Sequence, residues 1–197
     1  MLLKRSFYLR EDVVAIAREL IGKYIITTFN GELTAGMISE TEAYAGITDK
    51  ASHAFGGRNT PRTEVMYRQG GTAYVYLCYG MHSLFNIVTN SRGIPHAILI
   101  RAIRPTEGIN IMERRMERNA GSKTFAGGPG KVAKALGIHY RISGTNLCTA
   151  GVDKRDNSIW IEDRGMLHAN AEIHITPRIG IAYAGEDALL PYRFVLK

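Results

Sequence analysis

The chain of 197 residues is 45% hydrophobic, which is enough for one sizeable core, and it is too short for two ordinary domains. Its 25 Lys and Arg outnumber its 18 Asp and Glu, and the net charge of +7 favours a polyanionic partner such as nucleic acid. Two cysteines exclude a disulfide scaffold, and the lack of a long apolar run excludes a membrane helix, so we expect a soluble, cytoplasmic protein.

The N-terminal part of the chain predicts a helix followed by a β-hairpin. Apolar residues recur at helical spacing over residues 11–21, and Gly22 follows where a terminating glycine is expected. Residues 23–29 and 33–42 have the composition of strands. The pair Asn30-Gly31 between them is a strong hairpin signal, so these two strands should pair antiparallel.

A long irregular segment and a second hairpin are predicted next. Residues 45–71 are rich in Gly, Thr, Arg and Asn and show no period, and long loops of this kind are usually functional. Residues 73–78 and 84–88 predict two strands with Tyr79 near the turn, and residues 97–103 predict another.

The remaining sequence predicts two helices and three strands. Thr106 is the expected N-cap of a helix that runs to about residue 118. A shorter helix over residues 129–136 begins with Pro129 and is closed by Gly137. The strands are expected near residues 158–161, 172–176 and 192–196.

Tight turns join most of these strands, and few helices intervene. We therefore predict an α+β fold with a curved, largely antiparallel sheet, helices packed against it and a protruding β-hairpin. No repeat or linker divides the sequence, so residues 1–197 should form a single domain.

Several motifs occur in a fixed order along the chain. They are ETEAY at residues 40–44, His53, GGRNTPR at 56–62, YVYLCYGM at 74–81, Asn86, Arg101 and RIGIAYAGE at 178–186. With these motifs the chain resembles the alkyladenine (3-methyladenine) DNA glycosylases over nearly its whole length. The resemblance implies a monomeric, monofunctional enzyme of base-excision repair whose partner is damaged double-stranded DNA. It would flip alkylated or deaminated purines (3-methyladenine, 7-methylguanine, hypoxanthine or ethenoadenine) out of the duplex and hydrolyse the N-glycosidic bond, leaving an abasic site.

The resemblance also implies a catalytic group of three residues. Glu42 would be the general base that activates the attacking water, as an ionised carboxylate can. Arg101 and the main-chain carbonyl of Ile179 would hold that water. Without the motifs, an isolated Glu42 would more often be a solvated strand-end charge, and Arg101 would be half of a structural ion pair.

A base-binding pocket follows from the same resemblance. Tyr44 would stack on one face of the flipped base, with His53 and Tyr76 on the other, and stacking on aromatic rings is worth about 1–3 kcal/mol per base. Their π clouds should favour cationic alkylated purines. Asn86 would exclude the 2-amino group of normal guanine. For Tyr74 we expect an ordinary core position.

The remaining implied contacts are with the DNA backbone and the base stack. Tyr79 would fill the gap left by the extruded nucleotide, assisted by Met81. Residues 127–131 open the predicted helix over residues 129–136, and its N–H groups suit a phosphate. The predicted phosphate-binding residues are Arg58, Arg62, Gly130 and Lys131.

Two other function classes remain open at this point. A non-catalytic nucleic-acid binding module would keep the arginines and would not need Glu42. A bifunctional glycosylase and lyase would attack with an amine, for which Lys131 or Lys134 is the candidate. The six histidines form no HExxH motif, and we expect neither a metal nor a cofactor.

Overall fold

A computed structural model describes residues 1–121, 125–149, 157–166 and 172–197. The α-helices of this part of the chain are α1 (Arg5–Tyr8), α2 (Val13–Glu19), α3 (Ile109–Met116) and α4 (Pro129–Leu136). Its strands are β1 (Tyr24–Phe29), β2 (Glu32–Tyr44), β3 (Thr72–Cys78), β4 (His82–Thr89), β5 (His96–Glu107), β6 (Ser158–Glu162), β7 (Ile173–Thr176) and β8 (Arg193–Leu196). Short 3-10 helices cover Gly46–Thr48, Phe55–Gly57, Glu64–Tyr67, Tyr140–Ile142 and Ala182–Leu189.

The strands form one sheet in the order β3-β4-β5-β2-β1-β6, with β8 added to β2 and β7 added to β8. Each described pairing is antiparallel, which confirms the α+β prediction. Strand β2 is the centre of the sheet: it pairs with β5 along most of its length, with β1 through its first half and with β8 at residues 40–42.

Local signals in the sequence account for the first elements. Asp12 caps α2, because its side chain accepts hydrogen bonds from the amides of Val14 and Ala15 at 2.9 Å each. Asn30 and Gly31 both have positive φ, +54° and +77°, as a type I′ turn requires. The short helix α1 was not predicted.

The predicted N-cap at Thr106 is wrong. Strand β5 continues through Thr106, whose hydroxyl donates to the carbonyl of Ala35 on β2 at 3.1 Å and so is used within the sheet. Gly108 is the N-cap of α3, with φ of +65°. A Cβ atom there would lie 2.2 Å from the carbonyl oxygen of Leu33, so glycine is required where the chain turns from β5 into α3.

The two faces of the sheet have different roles, as the alternation of side chains along a strand requires. On β3, Ala73 and Val75 join the main core, together with apolar side chains of α2 and α4. Tyr74 points to the opposite face, where it packs with Val65, Met66 and neighbours under the segment between β2 and β3. The helices thus cover one face, and the irregular segment covers the other. No described helix is long and apolar enough to cross a membrane.

Candidate active site

A cavity of about 180 Å³ lies on the sheet face opposite the helices. Its floor includes Leu99, Asn86 and Tyr74 on three neighbouring strands, because the antiparallel registers align Leu99 with Asn86 and Asn86 with Tyr74. The register of β2 and β5 places Glu42 beside Leu99. Segments far apart in sequence close its sides, among them residues 51–53, Pro129 and residues 179–183. Most residues of the predicted pocket therefore meet in one place.

Glu42 is a fully buried carboxylate directly behind the cavity wall. One oxygen, Oε2, accepts a hydrogen bond from the Tyr44 hydroxyl at 2.8 Å, and the other, Oε1, accepts one from the main-chain amide of Ile179 at 2.8 Å. Arg101 adds two contacts of 3.4 Å. These three partners line the cavity, whereas Glu42 itself does not. Burial and the neighbouring Glu42 carboxylate raise the pKa of Tyr44, so its hydroxyl stays a donor.

Arg101 occupies a β-bulge on β5. Ala102 pairs with Glu40 and Ile100 pairs with Thr41, so Arg101 is the extra residue on β5. A bulge re-aims a side chain and is frequent beside active sites. The guanidinium lies beside β2, where Nε is 2.9 Å from Glu40 and 3.4 Å from Glu42.

Glu40 is a site residue that sequence reasoning missed. Its carboxylate joins two arginines, Arg101 at 2.9 Å and Arg193 at 2.7 Å. The sequence contained a signal for it, because Glu40 and Glu42 are two residues apart on a predicted strand and their side chains therefore share a face. The result is an alternating chain of charges from Glu42 through Arg101 and Glu40 to Arg193.

Ile179 contacts Glu42 directly, which the prediction did not include. Its main-chain nitrogen donates to the carboxylate. The role of its carbonyl in holding a water remains a prediction, and its side chain is half exposed at the cavity.

A buried ion pair fixes the segment that carries Ile179. Both terminal nitrogens of Arg178 contact the carboxylate of Asp49, and they also donate to the carbonyls of Ala43 at 2.8 Å and Asp187 at 3.0 Å. The Arg178 and Asp49 side chains are 0% and 2% exposed. Asp49 also accepts from the amide of Ala51, which lines the cavity. The pair therefore ties the segment after β2 to the segment before Ile179.

Aromatic side chains form the cavity walls. The His53 and Tyr76 rings are in edge contact with centroids 4.6 Å apart, and His53 Nδ1 lies 2.9 Å from the Tyr74 hydroxyl. Tyr74, predicted as an ordinary core residue, is buried as expected but also lines the cavity and orients His53. Burial raises the pKa of Tyr74 to about 12, so its hydroxyl is neutral.

The wall tyrosines already contact cations, which the sequence did not indicate. The guanidinium carbon of Arg178 lies 4.9 Å from the Tyr44 ring centroid, and that of Arg62 lies 4.7 Å from the Tyr76 centroid. Both distances are typical of cation–π contacts. The π clouds of these rings are therefore not fully available to a cationic base.

Asn86 is held rigidly at the cavity floor. It is 4% exposed, and its amide nitrogen donates to the carbonyls of Tyr74 at 3.2 Å and Leu84 at 3.3 Å. Two main-chain acceptors define the orientation of the amide. The position agrees with the predicted role in the pocket, and that role stays a prediction.

His53 should make the protein less stable in mild acid. Burial, then Arg62 and Arg58, lower its pKa from 6.5 to about 4. Below pH 6.5 the unfolded chain takes up a proton that the folded chain does not, so stability is lost as the pH falls from about 6.5 toward 4. We expect the free energy of unfolding to drop by about 2–3 kcal/mol more in the wild type than in His53→Asn between pH 7.5 and 4.5, measured by urea titration. Equal losses in both proteins would contradict this assignment.

The tip of the β3–β4 hairpin presents two large apolar side chains to solvent. Tyr79 is 88% exposed and Met81 is 73% exposed. Tyr79 and Gly80 have φ of +51° and +70°, a type I′ turn closed by the amide of Met81 on the carbonyl of Cys78. A left-handed conformation costs a non-glycine residue about 1–2 kcal/mol, so stability alone does not favour tyrosine here.

The predicted phosphate-binding residues lie in two groups. Arg58 and Arg62 are exposed on the segment between β2 and β3, and Arg62 lies against Tyr76. Gly130 and Lys131 are half-buried in the first turn of α4, where Gly130 packs against His82 beside the turn of the hairpin. Both groups therefore belong to the side of the molecule that carries the hairpin and the cavity, and phosphate binding stays a prediction.

Neither lysine of the lyase hypothesis lines the cavity. Lys134 lies 4.0 Å from Glu117 on an exposed surface, and the cavity wall at α4 is formed by Pro129. Within the described residues, no group of His, Cys, Asp or Glu has an arrangement that could hold a metal ion.

Comparison with known proteins shows similarity along nearly the entire chain. A family model described as Methylpurine-DNA glycosylase (MPG) matches residues 6–197. A protein of Chlamydia felis is 44% identical over 196 residues, which cover 99% of this chain and 96% of the relative. A protein of Methanocella arvoryzae is 42% identical, and the match covers 98% of this chain and 90% of the relative. A protein of Clostridium perfringens is 39% identical, and the match covers 100% of this chain and 96% of the relative. All three are named "Putative 3-methyladenine DNA glycosylase".

Proposed function

The chain belongs to the methylpurine-DNA glycosylase family and is a DNA glycosylase, a hydrolase of N-glycosyl bonds. From that premise we propose that it is monofunctional and monomeric. It flips alkylated or deaminated purines out of duplex DNA and hydrolyses the glycosidic bond with a water activated by Glu42. The observation that carries the proposal is the buried Glu42 carboxylate, whose hydrogen-bond partners all line an aromatic cavity.

The hydrogen bonds of Glu42 leave about one acceptor position of its carboxylate unused. A carboxylate accepts about four hydrogen bonds, and Tyr44, Ile179 and Arg101 supply three donors. In the proposed step, water bound at the junction of these partners gives its proton to Glu42 as its oxygen attacks the sugar carbon C1′. The electron pair of the glycosidic bond leaves with the base. The negative carboxylate also stabilises the positive charge that develops on the sugar, as in other glycoside hydrolases.

Arg101 and Glu40 support this step by positioning. Arg101 is held by Glu40 at 2.9 Å, and from there it lies 3.4 Å from Glu42. In the proposal it orients the Glu42 carboxylate and, with the Ile179 carbonyl, the attacking water. Because Arg193 fixes Glu40 in turn, the arginine at the cavity is pre-organised before DNA binds.

The cavity walls support recognition of a flipped purine. Tyr44 stacks on one face of the base, with His53 and Tyr76 on the other. Asn86 cannot rotate without losing its two main-chain hydrogen bonds, so it meets the 2-amino group of normal guanine with a fixed amide and rejects it.

The exposed hairpin tip supports intercalation into the gap in the base stack. In the proposal, Tyr79 enters the stack and Met81 packs beside it, while Arg58, Arg62, Gly130 and Lys131 contact phosphates. Extrusion of a base costs a few kcal/mol, and a planar side chain recovers part of that cost.

Replacing Tyr79 with Ala should weaken binding to lesion-bearing DNA specifically. Loss of one stacking ring is expected to reduce the affinity for a lesion duplex by about tenfold or more, and that for undamaged duplex much less. Fluorescence anisotropy with both duplexes measures the difference. Leu189→Ala, which removes a side chain that is 75% exposed elsewhere, is the control and should leave both affinities unchanged. Equal losses of the Tyr79→Ala protein on both duplexes would remove the intercalation claim.

The function is tested by incubating the wild-type protein with duplexes that carry one hypoxanthine, ethenoadenine or 7-methylguanine. We expect free base and an intact strand with an abasic site, and no covalent adduct after borohydride treatment. A borohydride-trapped adduct would support the lyase alternative. Binding without release of any of these bases by folded protein would support the binding module instead.

A further inference from the structure

The arginines behind the two stacking tyrosines differ in how their charge is balanced. Arg178, behind Tyr44, is buried and bound through two nitrogens to Asp49. Arg62, against Tyr76, is exposed, and no carboxylate within the described residues forms an ion pair with it. The nearby carboxylate of Glu64 pairs with Arg68 at 3.7 Å. Within the described residues, the positive charge at Tyr76 therefore has no carboxylate partner, whereas that at Tyr44 is paired with Asp49.

Arg62 lies outside the cavity, and the Tyr76 ring lies between the Arg62 guanidinium and the cavity. Tyr76 lines both the cavity and a neighbouring groove, and Arg62 lines the groove alone. The charge of the guanidinium also acts on Tyr74 and on His53, whose pKa it lowers, and the Tyr74 hydroxyl contacts His53. Arg62 is thus connected to the whole His53–Tyr74–Tyr76 wall without occupying the space of a flipped base.

We propose that Arg62 is a specificity-determining residue whose guanidinium, behind Tyr76, makes the cavity favour neutral damaged purines over cationic ones. The proposal rests on the proposed function. A cation on one face of an aromatic ring weakens the attraction of the opposite face for a second cation, and the two positive charges repel directly. The cationic base 7-methylguanine therefore stacks less favourably on Tyr76 than it would on a tyrosine ring with no arginine behind it.

The same charge assists the departure of a neutral base. When the glycosidic bond breaks, its electron pair moves onto the base, so hypoxanthine becomes negative while 7-methylguanine becomes neutral. Arg62 stabilises the developing negative charge on hypoxanthine through the field across the Tyr76 wall. Its effect on hypoxanthine lies in the rate of bond cleavage, and its effect on 7-methylguanine lies mainly in binding.

The test compares single-turnover rates and affinities on hypoxanthine and 7-methylguanine duplexes. Arg62→Gln removes the charge and keeps an amide donor, and Arg62→Lys keeps the charge. Arg68→Gln is the matched control, since it removes a charge from the same groove away from Tyr76. We expect Arg62→Gln to shift the ratio of hypoxanthine to 7-methylguanine cleavage by about tenfold toward 7-methylguanine. The other two variants should stay within about twofold of the wild-type ratio.

Three outcomes would overturn the inference. An unchanged ratio in Arg62→Gln, with both substrates bound more weakly and a smaller dependence on salt, would make Arg62 a phosphate contact only. An equal shift in Arg68→Gln would assign the effect to the net charge of the surface. Wild-type protein that releases neither base would overturn the proposed function itself. The first two outcomes require an active wild-type enzyme, so they concern only the role of Arg62.

Discussion

Glu42→Gln should reduce the rate of base release by about 10²–10⁴-fold, the contribution usual for a general base, while binding of a lesion duplex is retained. Glutamine has the shape of glutamate, so it can still accept from the Ile179 amide or the Tyr44 hydroxyl. It cannot take a proton from water or stabilise a positive sugar. Single-turnover kinetics on a hypoxanthine duplex, with affinity measured on the same DNA, separates the chemical step from binding.

Glu40→Gln is the matched control for this prediction. Glu40 lies two residues before Glu42 on the same strand and contacts the same arginine, but the cavity-lining Tyr44 hydroxyl and Ile179 amide donate to Glu42 and not to Glu40. We expect a loss of at most about tenfold, because Glu40 acts only through the position of Arg101. A Glu42→Gln protein that retains a tenth or more of wild-type activity would exclude Glu42 as the base.

The second large effect is expected for stability, from Asp49→Asn. The substitution preserves shape but leaves the Arg178 guanidinium, whose side chain is 0% exposed, without its counter-charge. Breaking a buried pair on one side typically costs about 3–5 kcal/mol, since the remaining charge stays desolvated. Urea unfolding at neutral pH measures the loss.

An exposed pair with the same geometry provides the comparison. Arg10 contacts Glu19 through two nitrogens at 2.8 and 2.9 Å, and these side chains are 40% and 48% exposed. Glu19→Gln should therefore cost less than about 1 kcal/mol. If Asp49→Asn were no more destabilising than Glu19→Gln, the Arg178–Asp49 pair would not be the junction that we describe.

Local signals predicted the elements well where neighbours in sequence decide the conformation. The Asn30-Gly31 turn and the α4 helix, which begins at Pro129 and ends before Gly137, are formed by residues that act within their own element. Thr106 shows the limit. Its hydroxyl could cap a helix N-terminus or donate to the carbonyl of Ala35. It donates to Ala35 because the neighbouring strand β2 places that carbonyl within reach.

The motif-bearing residues of the site could be named from sequence because the resemblance to the glycosylase family pointed to them, and the sheet brings them together on one face. Glu42, Asn86, Tyr76 and Arg101 lie on strands whose alternation and order bring them together. The residues that sequence reasoning missed contact partners that are far away in the sequence. Arg178 meets Asp49 from 129 positions away. No local sequence pattern predicts such a contact, nor the bulge at Arg101.

The central claim is that a damaged purine leaves the duplex and enters the cavity beside Glu42. The most direct measurement is a crystal structure of Glu42→Gln bound to a duplex with one ethenoadenine. We predict the ethenoadenine ring between Tyr44 and the His53–Tyr76 wall, and the Tyr79 ring in the base stack at the vacated position. An ethenoadenine that stays stacked in the duplex, or that binds outside this cavity, would contradict the account.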